Sequence, residues 1–227
     1  MVQIITVASR KGGAGKTTTT ISLADCWARQ GLRVGLIDTD PNESLTRWFE
    51  KGREKGHFQG IEFRQELQHE KIIQTVKALA SECDILLIDV AGIASISLLK
   101  AAGVADLVII PAQPNEDDFL EAIKTRSIVK EAIEMTNRNI PSRTLLTRAK
   151  QGTMVFRHTL EQLEKMKFPM FRSVIFDRTA YPQARYNGIT PVSNEPGGSA
   201  ARDIEALADE IIQILTAGQG ADAQEAA

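Results

Sequence analysis

Two lysines, Lys11 and Lys16, bracket a run of small residues, Gly12, Gly13, Ala14 and Gly15, and Thr17 follows at once. Glycines at this spacing let successive backbone N–H groups turn inward on phosphate oxygens. A lysine at the end of the run can neutralise the outer phosphates, and the next hydroxyl can ligate Mg²⁺. The standard phosphate loop reads G-x-x-x-x-G-K-[ST]. Here Arg10 stands where the first glycine belongs, and Lys11 is one lysine more than the motif needs. Gly12 to Thr18 are thus the candidate phosphate contacts, with Lys16 as the charge and Thr17 as a metal ligand.

Two further segments carry acids. Leu36-Ile37-Asp38-Thr39-Asp40-Pro41 ends an apolar run with carboxylates at i and i+2, which period two places on the same side of a strand. An acid there can hold Mg²⁺ through water or orient an attacking water. Asp84-Ile85-Leu86-Leu87-Ile88-Asp89 is an apolar strand ending in a carboxylate, the form in which Asp89 would bind Mg²⁺ directly or through water. Taken alone, each acid could merely cap a loop; beside the phosphate loop that reading recedes.

These residues need a frame to bring them together. Val2 to Ala8 is an apolar, β-branched run suited to a buried parallel strand, and Thr17 to Gln30 reads as a helix that Gly31 ends. Further strands are expected at 34–37, 61–64, 85–88, 107–110, 144–147 and 172–176. Helices are expected at 43–51, 69–81, 94–102, 116–136, 153–166 and 200–215. Such alternation predicts an α/β fold, a mostly parallel twisted sheet with helices on both faces, with the ligand at the carboxyl ends of the strands. One domain over 1–217 is expected, followed by a disordered tail at 218–227.

Composition narrows the setting. The 227 residues suffice for one α/β core, and Cys26 and Cys83 are too far apart in sequence to suggest a disulfide framework or a metal pair. The chain enters its first strand without a charged-then-apolar leader, and no apolar run nears the ~20 residues of a membrane span; a cytoplasmic protein without membrane attachment is expected. The net charge of −2 argues against a protein that coats nucleic acid over its whole surface. Yet from Arg138 to Gly188 ten Lys/Arg face three Asp/Glu. That asymmetry is a candidate footprint for phosphate backbones, or a set of solvated helix faces.

Together Lys11 to Thr17, Asp38-Thr39-Asp40-Pro41 and Ile88-Asp89 resemble the deviant Walker ATPases, the P-loop NTPase family of ParA, MinD and the nitrogenase iron protein. The likeness is nearest to small ParF-type partition ATPases and VirC1-like proteins, and spans almost the whole chain. It extends through Ser44-Leu45-Thr46-Arg47-Trp48, Asp89-Val90-Ala91-Gly92, Asp106 to Pro111, Asp118-Phe119 and Leu146-Thr147-Arg148. It implies that Lys11 reaches a partner subunit's nucleotide in an ATP-bound homodimer, and that Lys16 and Asp40 serve hydrolysis. Thr17, Asp40 and Asp89 would serve Mg²⁺, and Pro111 and Pro114 would shape the adenine pocket.

The resemblance further implies nonspecific double-stranded DNA binding in the ATP state, through candidates Arg148, Lys150, Arg157, Arg172, Arg178 and Arg185. Hydrolysis, slow alone, would be stimulated by a ParB- or ParG-like partner, so that the protein segregates a plasmid or positions another cargo on the nucleoid. Two departures stand out: Arg10 replaces a common glutamine or proline, and Asp89-Val90-Ala91-Gly92 lacks the proline pair of many ParA proteins. A MinD-like membrane cycle would require a terminal amphipathic helix with a basic face, which 218–227 does not offer. A P-loop enzyme that activates or phosphorylates a small metabolite is the reading from another class.

Overall fold

The computed structural model describes residues 2–92 and 96–225, with side chains to residue 217. Seven strands form one sheet: β1 (Gln3–Val7), β2 (Val34–Asp38), β3 (Ile61–Gln65), β4 (Ile85–Asp89), β5 (Leu107–Ala112), β6 (Ser142–Ala149) and β7 (Met170–Phe176). Their order is β3-β2-β4-β1-β5-β6-β7, and every pairing is parallel. The connecting helices are α1 (Lys16–Arg29), α2 (Ser44–Glu54), α3 (Ile72–Ala80), α4 (Ile96–Val104), α5 (Glu116–Thr136), α6 (Met154–Lys165), α7 (Ala180–Asn187), α8 (Pro191–Asn194) and α9 (Ser199–Glu225).

The central strands are mostly apolar because both faces are covered. Alternate residues serve opposite cores. Ile5, Val7, Leu36, Leu87 and Ile109 pack with Ile21 and Trp27 of α1 and with Ile204 and Ile211 of α9. Ile37, Leu86, Ile88, Val108 and Ile110 pack with α3, α4 and α5 through Ile72, Val76, Leu98, Ala122 and Val129. This arrangement bears out the expected α/β fold.

Three elements differ from the sequence reading. Helices α7 and α8 fill the stretch 177–198, where the apolar spacing is too short to mark a helix; Pro191 opens α8 and Thr190 caps it. Helix α9 runs to Glu225, past the expected end at Leu215. Residues 226 and 227, and Ala94 and Ser95 at the expected start of α4, lie outside the described residues.

Candidate functional site

The site lies at the carboxyl ends of β1, β2 and β4, which the topology makes neighbours. Asp89 ends β4 and pairs in register with Val7 of β1 on one side and Asp38 of β2 on the other. The chain leaving β1 forms the loop 8–15, and α1 begins at Lys16. Gly15 sits at the helix entry with φ 97, a left-handed conformation that side chains with a Cβ rarely adopt, so glycine is needed there. No side chain caps this helix start, which leaves its first N–H groups and the positive dipole end for an anion. Thr147 Oγ1 fixes the loop from β6 by donating to the Ala14 carbonyl at 2.7 Å.

Lys16 is buried, and its ammonium donates to the Lys11 carbonyl at 3.2 Å. Burial pulls its pKa down, while the charges of Asp89 and Asp40 push it up. Thr17 Oγ1 donates to Asp89 Oδ2 at 2.8 Å, and Asp89 Oδ1 is buried with no hydrogen-bond partner. Burial first, and then the charge of Asp38, raise the Asp89 pKa to about 7. A buried carboxylate with an orphaned oxygen beside a hydroxyl is the donor set a hard cation takes. Thr17 and Asp89 therefore fit Mg²⁺. Among the described residues no three His, Cys, Asp or Glu side chains cluster as a metal cage.

The acid loop is built by Asp38. Its Oδ1 accepts from the Asp40 amide at 3.0 Å, and its Oδ2 accepts from the Thr46 amide and hydroxyl at 2.9 and 2.7 Å. Asp38 so ties the loop to the first turn of α2. Its burial raises its pKa, opposed by those donors. Asp40 in turn accepts from the Asn42 amide at 2.9 Å. Gly92, after the β4 acid, closes over the loop: a Cβ there would stand 3.2 Å from Lys16 Nζ.

Lys11 is elsewhere. Its ammonium pairs with Asp118 in the first turn of α5, and its pKa is raised chiefly by that bonded carboxylate. Asp118 entered the sequence reading only as part of a resemblance, without a role. The readable signal was Asn115 followed by Glu116, Asp117 and Asp118, an N-cap with acids in the first turn.

A cavity of about 210 Å³ opens beside Gly15 and Thr18, walled by Thr147, Arg148, Phe176, Asp177, Tyr181 and Arg185 among others. It borders the loop at the start of α1. Pro111 is buried within β5 and Pro114 lies in the turn before α5; neither lines this cavity. Around the loop, Thr147 of β6 abuts Ala14, and Gln113, just after β5, reaches the near end through its 3.2 Å bond to the Gly13 carbonyl.

The candidate basic residues differ in their surroundings. Arg178 makes two hydrogen bonds to Asp203, at 2.7 and 3.0 Å, and Arg172 lies 3.7 Å from Glu210 and 3.3 Å from Gln213. Arg148, Arg178 and Arg185 line the cavity. Lys150 and Arg157 are exposed, and among the described residues neither makes an ion pair. Cys26 and Cys83 are buried fillers, and no described helix is long and apolar enough to cross a membrane.

A parallel sheet of this order with a glycine loop, two lysines and acids ending β2 and β4 defines a P-loop ATPase of the deviant Walker, ParA/MinD type. The family model described as VirC1 protein matches residues 2–208, and the chain belongs to that family. It is 28% identical over 219 residues to protein ParA of Rhizobium radiobacter, covering 94% of this chain and 97% of that one. It is 24% identical over 210 residues to the maintenance of carboxysome distribution protein A of Halothiobacillus neapolitanus, at 92% and 95% coverage. The septum site-determining protein MinD of Pyrococcus horikoshii, complexed with Mg-ADP, superposes with a TM-score of 0.74 at 19% identity, over 93% of this chain and 96% of that one.

Proposed function

We propose that this chain is a positioning ATPase: it binds ATP with Mg²⁺, dimerises with ATP, holds double-stranded DNA without sequence preference in that state, and lets go on hydrolysis. The observation that carries this reading is the division of labour between two lysines of one loop. Lys16 is buried among the carboxylates of its own site, while Lys11 is directed to α5 and feels none of them. A cation at the loop's rim that does not serve its own site is placed to serve a second subunit.

Each residue then has a task. Backbone N–H groups from Gly12 to Thr18 cradle the phosphates, and Lys16 neutralises the outer ones. Mg²⁺, held by Thr17 and Asp89, would spread the charge that builds on the phosphate oxygens. Asp40 orients the attacking water, fixed by Asp38 through its backbone amide. Arg148, Asp177, Tyr181 and Arg185 receive the nucleoside. Loss of the γ-phosphate removes the group that two subunits share, so the dimer parts. The site supplies no strong general base, so turnover is slow until a ParB- or ParG-like partner speeds it. The relatives ParA and the carboxysome distribution protein support a cargo-positioning role, and DNA binding would place the protein on the nucleoid rather than a membrane.

The test is a subunit-mixing assay. Lys11→Ala should bind nucleotide but not hydrolyse it, and mixing it with Asp40→Ala should restore part of the activity. Lys16→Ala should lose nucleotide binding altogether, and Asp40→Ala should prolong DNA binding. Full hydrolysis by Lys11→Ala alone overturns the exchange of lysines. Gel shifts with random-sequence DNA should appear only with ATP and fade with salt; their absence favours chemistry on a small metabolite.

A further inference from the structure

Lys11 and the first turn of α5 are joined by more than one contact. The Lys11 ammonium meets Asp118, whose side chain is 1% exposed against 35% for the lysine. Asp118 Oδ2 accepts from the Gln113 amide at 2.8 Å, and the Asp118 amide donates to Asn115 Oδ1 at 3.0 Å. The carboxylate is thus rigidly held, and Lys11 is the cation that neutralises it. Next to this pair Arg10 reaches Glu121 at 3.4 Å, and its amide donates to Thr125 Oγ1 at 3.2 Å.

A buried carboxylate tolerates its charge only while a partner stands by, and removing that partner leaves a charge that water does not reach. Lys11 cannot neutralise Asp118 and the phosphates of a second subunit's nucleotide at once. We infer that Asp118 is a latch that holds Lys11 within its own subunit, so that dimerisation must first break the Lys11–Asp118 pair. This rests on the reading that Lys11 acts in the partner's site. It assigns Asp118 a positioning role: the residue touches no nucleotide and acts through Lys11. It also sets the protein concentration at which the ATP dimer appears, because the cost of opening two latches falls on each association.

Asp118→Asn keeps an oxygen for the Gln113 amide and removes the charge. Sedimentation of the full chain with Mg²⁺ and a non-hydrolysable ATP analogue reads the half-dimerisation concentration. We expect Asp118→Asn to lower it about 25-fold, the equivalent of two partly exposed ion pairs, one per subunit, at the upper end of their range. The melting temperature should hold in the same buffer. Asn115→Ala, which loosens the turn without touching the carboxylate, should shift it the same way by less. A wild-type chain that stays monomeric at all concentrations overturns the reading of Lys11 in trans, and the latch with it. A wild-type chain that dimerises while Asp118→Asn dimerises at the same or a higher concentration overturns the latch alone.

Discussion

Asp38 and Asp89 are register partners on adjacent parallel strands, so two buried carboxylates end β2 and β4 at the same level. Burial raises the pKa of both, the charge of Asp38 adds to the rise at Asp89, and the fold tolerates them because Lys16, Thr17 and Thr46 face them.

That pairing predicts a pH dependence for the nucleotide-free protein. Burial lifts the Asp89 pKa from 3.8 to about 7, so between those values the folded chain holds a proton that the unfolded chain has released. Stability then falls as pH rises through this window. Mg²⁺ needs the ionised form, so its stabilising effect should grow over the same window. Thermal melts at pH 5 and pH 8, with and without Mg²⁺, should show a larger magnesium shift at pH 8. An equal shift at both would remove Asp89 as the ligand.

The arginines divide into two groups with different readouts. Arg178 makes a two-bond contact with Asp203 and lines the cavity. Arg178→Ala should cost roughly 1.5–3 kcal/mol of stability, the range for hydrogen bonds to charged groups, and weaken nucleotide binding as well. Lys150→Ala and Arg157→Ala should leave the melting temperature and nucleotide affinity unchanged while weakening DNA binding and flattening its salt dependence. Nucleotide titration and DNA gel shifts on each variant separate the groups.

Gly52 on α2 meets the Phe58 ring and the Gly188 carbonyl where its Cβ would lie. Gly52→Ala should therefore destabilise by about 1–3 kcal/mol through overpacking. Because α2 begins at the acid loop, hydrolysis should fall further than the lost stability explains. Gly56→Ala, in open space but with φ 80, serves as the contrast: strain without collision. Chemical denaturation and phosphate release on both variants check this.

Burial pushes the Cys26 thiol up to about 12 and the Cys83 thiol to about 11. Since the thiolate is the reactive form, neither should react with a disulfide reagent at pH 8 in the folded chain. Both should react at once in denaturant, and fast labelling under native conditions would contradict their packing.

The strands were legible because each central one is a run of β-branched or leucine side chains covered on both faces, and all seven appear where the pattern places them. The phosphate loop and the acids at 40 and 89 were legible because their chemistry needs particular residue types at fixed spacing. Long-range partnership was not. Nothing in the local pattern says that Lys11 meets Asp118, or that Arg178 is bound to Asp203, since those pairs join residues 107 and 25 positions apart through the arrangement of elements. The same holds for the cavity: Thr147, Arg148 and Tyr181 meet beside Thr18 through the arrangement of elements, which no local pattern announces. Helix α7 escaped notice because its short run buries only Ala184.

Helix α2 is fastened to the corner between α7 and α8: Trp48 Nε1 donates to the Ile189 carbonyl at 3.0 Å, across 141 residues of chain, and Lys55 Nζ donates to the Asn187 carbonyl at 2.8 Å. The consequence reaches into synthesis on the ribosome. The phosphate loop and both acids emerge in the first 89 residues, yet the brace for the acid loop arrives only with residues near 187. A growing chain therefore holds the loop and both acids long before it holds the support that braces helix α2 behind the acid loop.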